Sequence, residues 1–432
     1  MQLRRCLALG AVVLGTAASP RPDPAAWRLV PHVRVQAYYG LNDFNADVPA
    51  AYMAAHVDIV EDDGYTAEHA DRFKRAGGRM AIAYTDPTYA THCPPPFVPP
   101  SGRCGGPIAD LVASDERAFI HDATGARVRK YFNPYFQYQE IFNVTSPVAW
   151  RAYAATTAEI LRHSPLLDGF EADDSGSPFT GIDGKLGSNL YYSFSAFGVE
   201  IRSDEQWIAG ESAMLKAAGK PLMINGGDPR GTGPAYDGRF LDLPFVMSEQ
   251  QEGCFNNSGN YLYSDRNDKF RREENALLNV MSHGKSAVCF PTGDTTPPHR
   301  TYAYAAWLLT YDPRYSVYLM AVKQSDGESL YPEIELVPLA PRATPSSIDD
   351  LRRDGVYVRE FGECAIAARS IGPCAAVVNA SFRSAASIPR LAVAYANHVA
   401  LDPQSLYHGG RARVESGAPN SLGPETAAIL VR

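Results

Sequence analysis

Two strand-like segments of this sequence, residues 167–174 and 244–253, end in carboxylates. In each of them an apolar run gives way to acidic residues and then to loop-forming residues. Acidic side chains at the end of a buried strand are costly unless they take part in binding or chemistry. The acidic residues of the two segments are Glu171, Asp173, Asp174, Glu249 and Glu252.

Cleavage of a glycosidic bond needs a pair of carboxyl groups, because one protonates the leaving oxygen while the other attacks as a nucleophile or activates water. The two groups must come from different strands so that the sugar fits between them. We therefore assign Asp173 as the candidate nucleophile and Glu249 as the candidate acid. Glu171 and Asp174 are alternatives to Asp173, and Glu252 is an alternative to Glu249. Pairing with arginine, or capping of a helix, is the competing interpretation of all these acids.

Polar side chains suited to sugar hydroxyl groups also follow most of the other strand-like segments. One polar residue at a strand end is an ordinary turn signal, but its recurrence from strand to strand favours a binding site. The candidate substrate-binding residues are Tyr38, Asp62, Tyr84, Asp86, Glu171, Asp174, Asn225, Glu252 and Asp294. Two of them have structural alternatives, since Asp62 lies ahead of a helix and Asp86 precedes a proline in a common turn.

Strand-like and helix-like segments alternate between residues 33 and 320. Besides the two carboxylate-bearing segments, which are the fourth and the sixth, the predicted strands cover residues 33–39, 57–61, 79–84, 221–225, 286–290 and 316–320. The sixth strand is predicted to end at Glu249. Eight strands with intervening helices predict an α/β fold, a (β/α)8 TIM barrel with a small C-terminal β appendage. Active sites of such barrels lie at the carboxyl ends of the strands.

Capping residues delimit the predicted helices. Thr66 begins a helix that Gly77 ends. A second helix begins at Ser146, has a proline at its first position and runs to residue 163. A third begins at Ser203 in a capping-box pattern and ends at Gly219. A fourth covers residues 267–282.

The N-terminal residues are typical of an export signal. Arg4 and Arg5 precede an apolar run over residues 7–16, and small residues suited to cleavage follow. An uncleaved membrane anchor is the alternative, although the run is too short to span a bilayer. The location is therefore expected to be secreted or periplasmic. The predicted organisation is a signal peptide at 1–19, a catalytic barrel at 30–325 and a β-rich domain at 330–432.

Composition and motifs exclude several classes of protein. The net charge of −8, without any basic stripe, argues against nucleic-acid binding. The sequence has no HExxH or HxH pair, no P-loop and no G-x-S-x-G elbow. We therefore expect no metal and no cofactor, a carbohydrate as the partner, and no membrane association after signal cleavage. The sequence does not indicate an oligomeric state.

The cysteines indicate disulfides. Removal of the signal removes Cys6 and leaves six cysteines, an even count that suggests pairing in an exported protein. The predicted pairs are Cys93 with Cys104, Cys364 with Cys374 and, with the weakest support, Cys254 with Cys289.

Short motifs resemble those of a known family. The run over residues 168–174 resembles the fourth-strand end of the hypothetical TIM-barrel glycosyl hydrolases related to endo-polygalactosaminidase and α-galactosidase-like barrels. The segments 302–309, 331–335 and 357–361 are similar to the end of such chains. The resemblance covers most of residues 30–380. It implies an aspartate nucleophile on the fourth strand and an acid on the sixth.

Carried over residue by residue, the resemblance implies Asp173 as nucleophile and Glu249 as acid, with Glu252 still open. It also implies retention of configuration and action on α-linkages. We therefore expect a secreted glycoside hydrolase that cleaves a polysaccharide or oligosaccharide. A barrel that binds glycan without cleaving it is the alternative. Acids that are all paired with arginine, or a mouth blocked by the long insertion at 86–145, would favour the binding protein.

Overall fold

The computed structural model describes most of the chain. The described residues are 33–41, 44–63, 67–91, 115–121, 124–130, 139–173, 175, 201, 203–225, 241–256, 268–292, 296–320, 329–340 and 343–432. The predicted signal peptide and the pair Cys93–Cys104 lie outside these residues.

Eight parallel strands form a closed barrel, in which each strand pairs with its neighbour in sequence and the last returns to the first. They are β1 Val35–Tyr38, β2 Ile59–Asp63, β3 Met80–Thr85, β4 Gly169–Ala172, β5 Pro221–Asn225, β6 Met247–Asn256, β7 Ser286–Thr292 and β8 Ser316–Met320. Helices lie between the strands, so the predicted (β/α)8 barrel is confirmed.

Six α-helices follow barrel strands in the described part of the chain: α1 Ala50–His56, α2 Glu68–Arg75, α3 Pro147–His163, α4 Asp204–Ala218, α5 Lys269–Ser282 and α6 Pro297–Thr310. The predicted caps of α3 and α4 are confirmed, since Ser146 and Ser203 each accept a backbone N–H of the first turn. Thr66, the predicted cap of α2, lies outside the described residues. The residue at the N-cap of α2 is Ala67, in the left-handed conformation with φ of 43° and without a side-chain cap.

One strand end also differs from the prediction. Strand β6 does not end at Glu249 but continues to Asn256. Its pairing with β7 shifts between Cys289 and Pro291, so Phe255 and Asn256 pair beyond an irregularity in the ladder. Glu249 itself pairs with Asn225, the last residue of β5. It therefore lies level with the end of its neighbour, although its own strand is longer.

Side chains alternate between the inside and the outside of the barrel, as the pleat requires. The interior is a small apolar cluster, to which Tyr38 and Val246 add their partly buried side chains. Its buried members are Ile59, Met80, Ile82, Leu222, Met223, Met247, Val288, Phe290, Val317 and Leu319. The opposite faces of the strands pack against the helices in a second, much larger core. The same alternation places Glu171 and Asp173 on one face of β4.

Two aspartates close the amino-terminal end of the barrel. Asp58 accepts the Val35 N–H at 3.0 Å and the Arg79 guanidinium at 2.9 Å. Asp168 accepts the Ala81 N–H at 2.9 Å and the Lys74 ammonium, also at 2.9 Å. Each carboxylate therefore joins one strand to the next and is neutralised by a cation.

A seven-stranded antiparallel sheet follows the barrel. Its strands are β9 Leu336–Pro338, β10 Arg352–Arg353, β11 Val356–Ile366, β12 Arg369–Asn379, β13 Asn397–Leu401, β14 Ala412–Ser416 and β15 Thr426–Val431. They are arranged in the order β9-β11-β12-β15-β13-β14, with β10 beside β11. The C-terminal β-rich region therefore has the predicted architecture.

The predicted disulfide between Cys364 and Cys374 is confirmed. It links β11 to β12 across their hairpin, with the two Cα atoms 5.9 Å apart. Cys289 is also disulfide-bonded. The side chain of Cys254, its predicted partner, lies outside the described part of the structure.

Helix α6 joins the barrel to the C-terminal sheet, because both of its ends are held by that region. At its carboxyl end, the buried Arg359 of β11 donates to the carbonyls of Leu308, Leu309 and Tyr311. Near its amino end, Arg300 forms a fully buried ion pair with Glu333 at 2.7 Å. Apolar residues of α6 and of the sheet belong to one continuous core.

Part of the long insertion after β3 is described. Strands Tyr89–Thr91, Arg129–Lys130 and Gln139–Ile141 form a small antiparallel sheet at the carboxyl end of the barrel. Arg127 fixes this unit by donating to both Glu116 and Glu140. Among the residues that the structure describes, no helix is long and apolar enough to cross a membrane.

Candidate active site

Asp173 lies at the carboxyl end of β4 and is held by residues from both neighbouring strands. The Tyr84 hydroxyl of β3 donates to its Oδ2 at 2.6 Å, and the Asn225 amide of β5 donates to its Oδ1 at 2.7 Å. The structure therefore brings three of the predicted site residues into direct contact. The Asp173 side chain is half-buried, so it is positioned but still reachable from the barrel mouth.

The register of the strands explains this contact. Tyr84 pairs with Glu171, two residues before Asp173 on the same face of β4. Asp173 is thus one layer nearer the mouth than Glu171. Asn225 ends β5, the strand on the other side of β4. The Asp173 N–H also donates to the Thr85 carbonyl at 2.9 Å, which extends the β3–β4 ladder to the catalytic candidate.

Both described donors to Asp173 are neutral. A phenol and a carboxamide each give one hydrogen bond to a different carboxylate oxygen, which fixes the orientation of the side chain. An arginine would instead bind both oxygens in a fork. The two oxygens of the carboxylate are therefore oriented by separate neutral groups from the two neighbouring strands.

Hydroxyl groups behind the barrel wall hold the backbone that leads to Asp173. The Thr85 hydroxyl donates to the Glu171 carbonyl and lies 2.8 Å from the Tyr153 hydroxyl of α3. Burial raises the pKa of Tyr153, so this phenol remains protonated. The Ser175 hydroxyl donates to the Ala172 carbonyl at 2.7 Å. Two successive carbonyls of β4 are thus bound by side chains.

Glu171, the alternative nucleophile, lies deeper in the barrel. Only 2% of its surface is exposed, whereas Asp173 is half-buried one layer above. On the second strand, Glu61 is fully buried and accepts the Gln36 amide at 3.0 Å. These acids therefore belong to the floor of the site rather than to its opening.

Other predicted residues occupy different environments. Asp62 is fully buried and accepts the Ala70 N–H at 2.8 Å, so its carboxylate binds the first turn of α2. Asp86 accepts the Thr88 N–H at 3.1 Å within its own turn. These are the structural alternatives that the sequence offered for both residues.

Tyr38 belongs to an aromatic side of the mouth. Its ring packs edge-to-face against Phe44 at 5.9 Å and against Phe290 of β7 at 5.8 Å. Tyr38 comes from β1, which is three strands away from β4 around the barrel. The mouth therefore has an aromatic side and a carboxylate side.

The remaining candidates are only partly described. The backbone of Glu249 lies in β6, in register with Asn225. Glu252 follows three residues later on the same strand. The side chains of both glutamates lie outside the described part of the structure, as do Asp174 and Asp294 entirely.

Sequence reasoning missed several residues that shape the site. Phe44 and Phe290 form the aromatic side, while Thr85, Tyr153 and Ser175 support the backbone of β4. A further residue is Glu211, which is fully buried in the middle of α4. The sequence does mark Glu211 as unusual, because this acid lies four residues after Trp207 within the apolar stripe of a helix. Within the described residues, no group of three or more His, Cys, Asp or Glu side chains could hold a metal ion.

The fold and the site define a (β/α)8 barrel with a carboxylate centre at the carboxyl ends of its strands. Comparison with solved structures finds other barrels of carbohydrate-active proteins. Ega3 of Aspergillus fumigatus, solved with galactosamine, is 14% identical over 71% of this chain and 96% of its own, with a TM-score of 0.39. The glycoside hydrolase domain of a PelA variant from Pseudomonas aeruginosa is 11% identical over 68% and 95%, with a TM-score of 0.39.

An α-amylase from Malbranchea cinnamomea is 10% identical over 95% of this chain and 97% of its own, with a TM-score of 0.42. No family model matches the sequence, and no curated protein matches it either. Identities and TM-scores this low do not bear on activity, so the functional argument rests on the site itself.

Proposed function

We propose that this protein is a secreted or periplasmic glycoside hydrolase that cleaves a polysaccharide or oligosaccharide with retention of configuration. One observation carries the proposal: a half-buried aspartate at the end of the fourth barrel strand, held by neutral donors from the third and fifth strands. In this proposal Asp173 is the nucleophile. Glu249 is the acid, and Glu252 is the alternative acid.

The proposed reaction has two steps. In the first, an Asp173 oxygen attacks the anomeric carbon while the acid gives its proton to the departing glycosidic oxygen. The products are a glycosyl ester of Asp173 and the released alcohol. In the second step the same acid, now ionised, takes a proton from water, and that water displaces Asp173. The free sugar keeps its configuration because the anomeric carbon is inverted twice.

Tyr84 and Asn225 are proposed to orient the nucleophile. Each binds one carboxylate oxygen, which limits rotation about the side chain and lowers the entropy lost on reaching the reacting geometry. Both can remain bonded while the ester forms and breaks, because neither has to transfer a proton. Tyr38 with its aromatic neighbours offers the apolar surface on which the C–H face of a sugar ring packs.

The binding-only alternative predicts acids that are neutralised by arginine. The described donors to Asp173 are a phenol and an amide, which orient its carboxylate at the mouth. The same contrast separates Asp173 from Asp58 and Asp168, which are neutralised by cations at the other end of the barrel.

Reducing-sugar release across a panel of polysaccharides tests the activity. Asp173→Gly should abolish release, and added azide should restore cleavage with formation of a glycosyl azide, because a small anion can replace the missing nucleophile. The matched control is Asp242→Asn, which changes an exposed aspartate ahead of β6 and should leave activity unchanged. If the wild-type protein binds a glycan of the panel but cleaves none, the binding protein is favoured.

The stereochemical outcome tests the role of Asp173 separately. Proton NMR during hydrolysis should first show the sugar with the anomeric configuration of the substrate. A separation of about 5–5.5 Å between the two carboxyl groups accompanies retention, whereas about 6.5–9.5 Å accompanies inversion. Initial release of the inverted anomer would make Asp173 a base rather than a nucleophile.

A further inference from the structure

Glu211 lies where a carboxylate is not expected. It is in the middle of α4, it is fully buried, and neither carboxylate oxygen has a hydrogen-bond partner of good geometry among the residues that the structure describes. The helix is held tightly here, because a Cβ added at the preceding Gly210 would lie 2.5 Å from the Val144 carbonyl oxygen. Helix α4 therefore packs closely against the Val144 backbone next to Glu211.

The proton of Ser175 determines how Glu211 can interact with it. Ser175 is fully buried, and its hydroxyl hydrogen is donated to the Ala172 carbonyl at 2.7 Å. A hydroxyl group has only one hydrogen, so the Ser175 oxygen can offer its neighbour nothing but an acceptor. Glu211 can bind that oxygen only if the carboxyl group carries a proton.

Electrostatics agree with this geometry. Burial raises the pKa of Glu211 to about 8, and the nearby Ser175 hydroxyl and Trp207 indole oppose the shift by less than burial produces it. The facing groups are also acidic or phenolic. Tyr153 of α3 interacts with Glu211, Glu171 of β4 and Asp86, and burial raises the pKa of Tyr153 as well.

The link to the proposed nucleophile is short. Ala172, whose carbonyl Ser175 binds, is the last residue of β4 and immediately precedes Asp173. The Ser175 contact and the Thr85 contact together fix the two peptide groups before Asp173. Loss of either would let the Asp173 carboxylate rotate away from Tyr84 and Asn225.

We infer that Glu211 is a positioning residue: it stays a neutral carboxylic acid at working pH, donates its proton toward the Ser175 hydroxyl, and so fixes the end of β4 that carries Asp173. This inference rests on the proposed function of Asp173. Its tests include two measurements that need no substrate.

The first measurement is the pH dependence of stability. The folded chain keeps the Glu211 proton up to about pH 8, whereas a glutamate ordinarily loses it near pH 4.5. Between these values the folded state binds more protons than the unfolded state. The stabilisation is therefore complete below about pH 4.5 and is lost progressively as the pH rises to about 8, by up to tenfold in the folding equilibrium constant per unit.

Glu211→Gln isolates this contribution, because the amide keeps the shape and a donor but cannot ionise. The variant should match the wild type near pH 5 and unfold at a higher temperature than the wild type at pH 8.5. The matched control is Glu205→Gln, which changes an exposed glutamate of the same helix and should follow the wild type at every pH. Parallel curves for wild type and Glu211→Gln would show an ionised Glu211 and overturn the inference.

The second measurement is hydrogen exchange of the Asp173 amide, which donates to Thr85. Exchange at neutral pH should be faster in Glu211→Ala and Ser175→Ala than in the wild type, and unchanged in Glu211→Gln. Unchanged exchange in both truncated variants would reduce Glu211 to a packing residue and overturn its positioning role, whatever the protein cleaves.

Activity gives the third readout. On a cleaved substrate, Ser175→Ala and Glu211→Ala should lower kcat by about tenfold with KM little changed, because the nucleophile rather than the binding surface is displaced. The fall of wild-type kcat near pH 8 should disappear in Glu211→Gln. If kcat of Glu211→Gln still falls near pH 8, a group other than Glu211 causes the fall. Absence of any cleavage by the wild type would count against the proposed function alone, since stability and exchange still decide the role of Glu211.

Discussion

Aspartates occupy both ends of this barrel, and their partners differ. At the amino-terminal end, Asp58 and Asp168 each bind a backbone N–H of the neighbouring strand and a cationic side chain. At the carboxyl end, Asp173 binds the neutral donors Tyr84 and Asn225. Residue type is the same in all three cases, so it cannot distinguish a structural acid from a chemical one.

The difference shows what each end requires of a carboxylate. An acid that binds a lysine or arginine is neutralised by that cation, and the ion pair stabilises the fold. At the carboxyl end, a phenol and an amide orient the carboxylate from the two neighbouring strands. Asp62 sharpens the comparison, because it lies at the carboxyl end of β2 and yet binds the first turn of α2. Position at the mouth therefore does not by itself make an aspartate a catalytic candidate; its hydrogen-bond partners must also be suitable.

The largest expected effect comes from Asp173→Asn. The variant should lower kcat by about a thousandfold or more, because an amide cannot attack the anomeric carbon. The free energy of unfolding should stay near that of the wild type, since the new amide oxygen can accept the Asn225 N–H while the new NH2 group donates to the Tyr84 hydroxyl oxygen. Steady-state kinetics measure the fall in kcat, and chemical denaturation measures the free energy of unfolding. Wild-type activity in this variant would transfer the role to Glu171 or Asp174.

Removal of one donor should have an intermediate effect. Tyr84→Phe and Asn225→Ala should each lower kcat by about ten- to a hundredfold, because a hydrogen bond to a charged group contributes about 1.5–3 kcal/mol. The loss should appear in kcat more than in KM. A change in KM alone would indicate that these side chains bind the sugar rather than the nucleophile.

The amino-terminal end should respond in the opposite way. Asp58→Asn should lower the free energy of unfolding by about 1–3 kcal/mol, because the buried contacts to Val35 and Arg79 lose their charged acceptor. Activity measured well below the unfolding temperature should be unchanged. A large fall in kcat without loss of stability would remove the distinction between the two ends.

Asp62→Asn should have the smallest effect. We expect a loss of about 0.5–2 kcal/mol in unfolding free energy, which is the usual range for a helix cap, and no change in KM. Thermal unfolding and substrate saturation curves measured on the same preparation distinguish the two roles. A several-fold rise in KM would restore Asp62 to the substrate-binding residues.

Much of the architecture followed from the sequence, because its signals are local. Strand-like runs that alternate with helix-like runs marked the eight strands, and Ser146, Ser203 and Gly219 marked helix ends through their own backbone chemistry. The close spacing of Cys364 and Cys374 across a hairpin predicted their disulfide. Asp173, Tyr84 and Asn225 were each recognised as polar strand ends.

The contacts between those residues were beyond the sequence, because they depend on register between strands far apart in the chain. Asp173 meets Tyr84 across 89 positions of sequence. The N-cap of α2 was missed for a related reason. Ala67 carries no capping side chain, and the acceptor for the first turn is supplied by Asp62 from the preceding strand. Glu211 was visible as an acid in an apolar stripe, but only its burial made it informative.

The attachment of α6 has a consequence for how this protein could be divided. The carboxyl end of this barrel helix is capped by Arg359, and its buried Arg300 is neutralised by Glu333, so residues after the last barrel strand complete a helix that precedes it. A fragment cut near residue 325 would retain every barrel strand and still leave a buried guanidinium and three carbonyls without their partners. The change of architecture near residue 330 is therefore a poor site for truncation, domain exchange or fusion, and chain synthesis must reach β11 before the barrel can be completed.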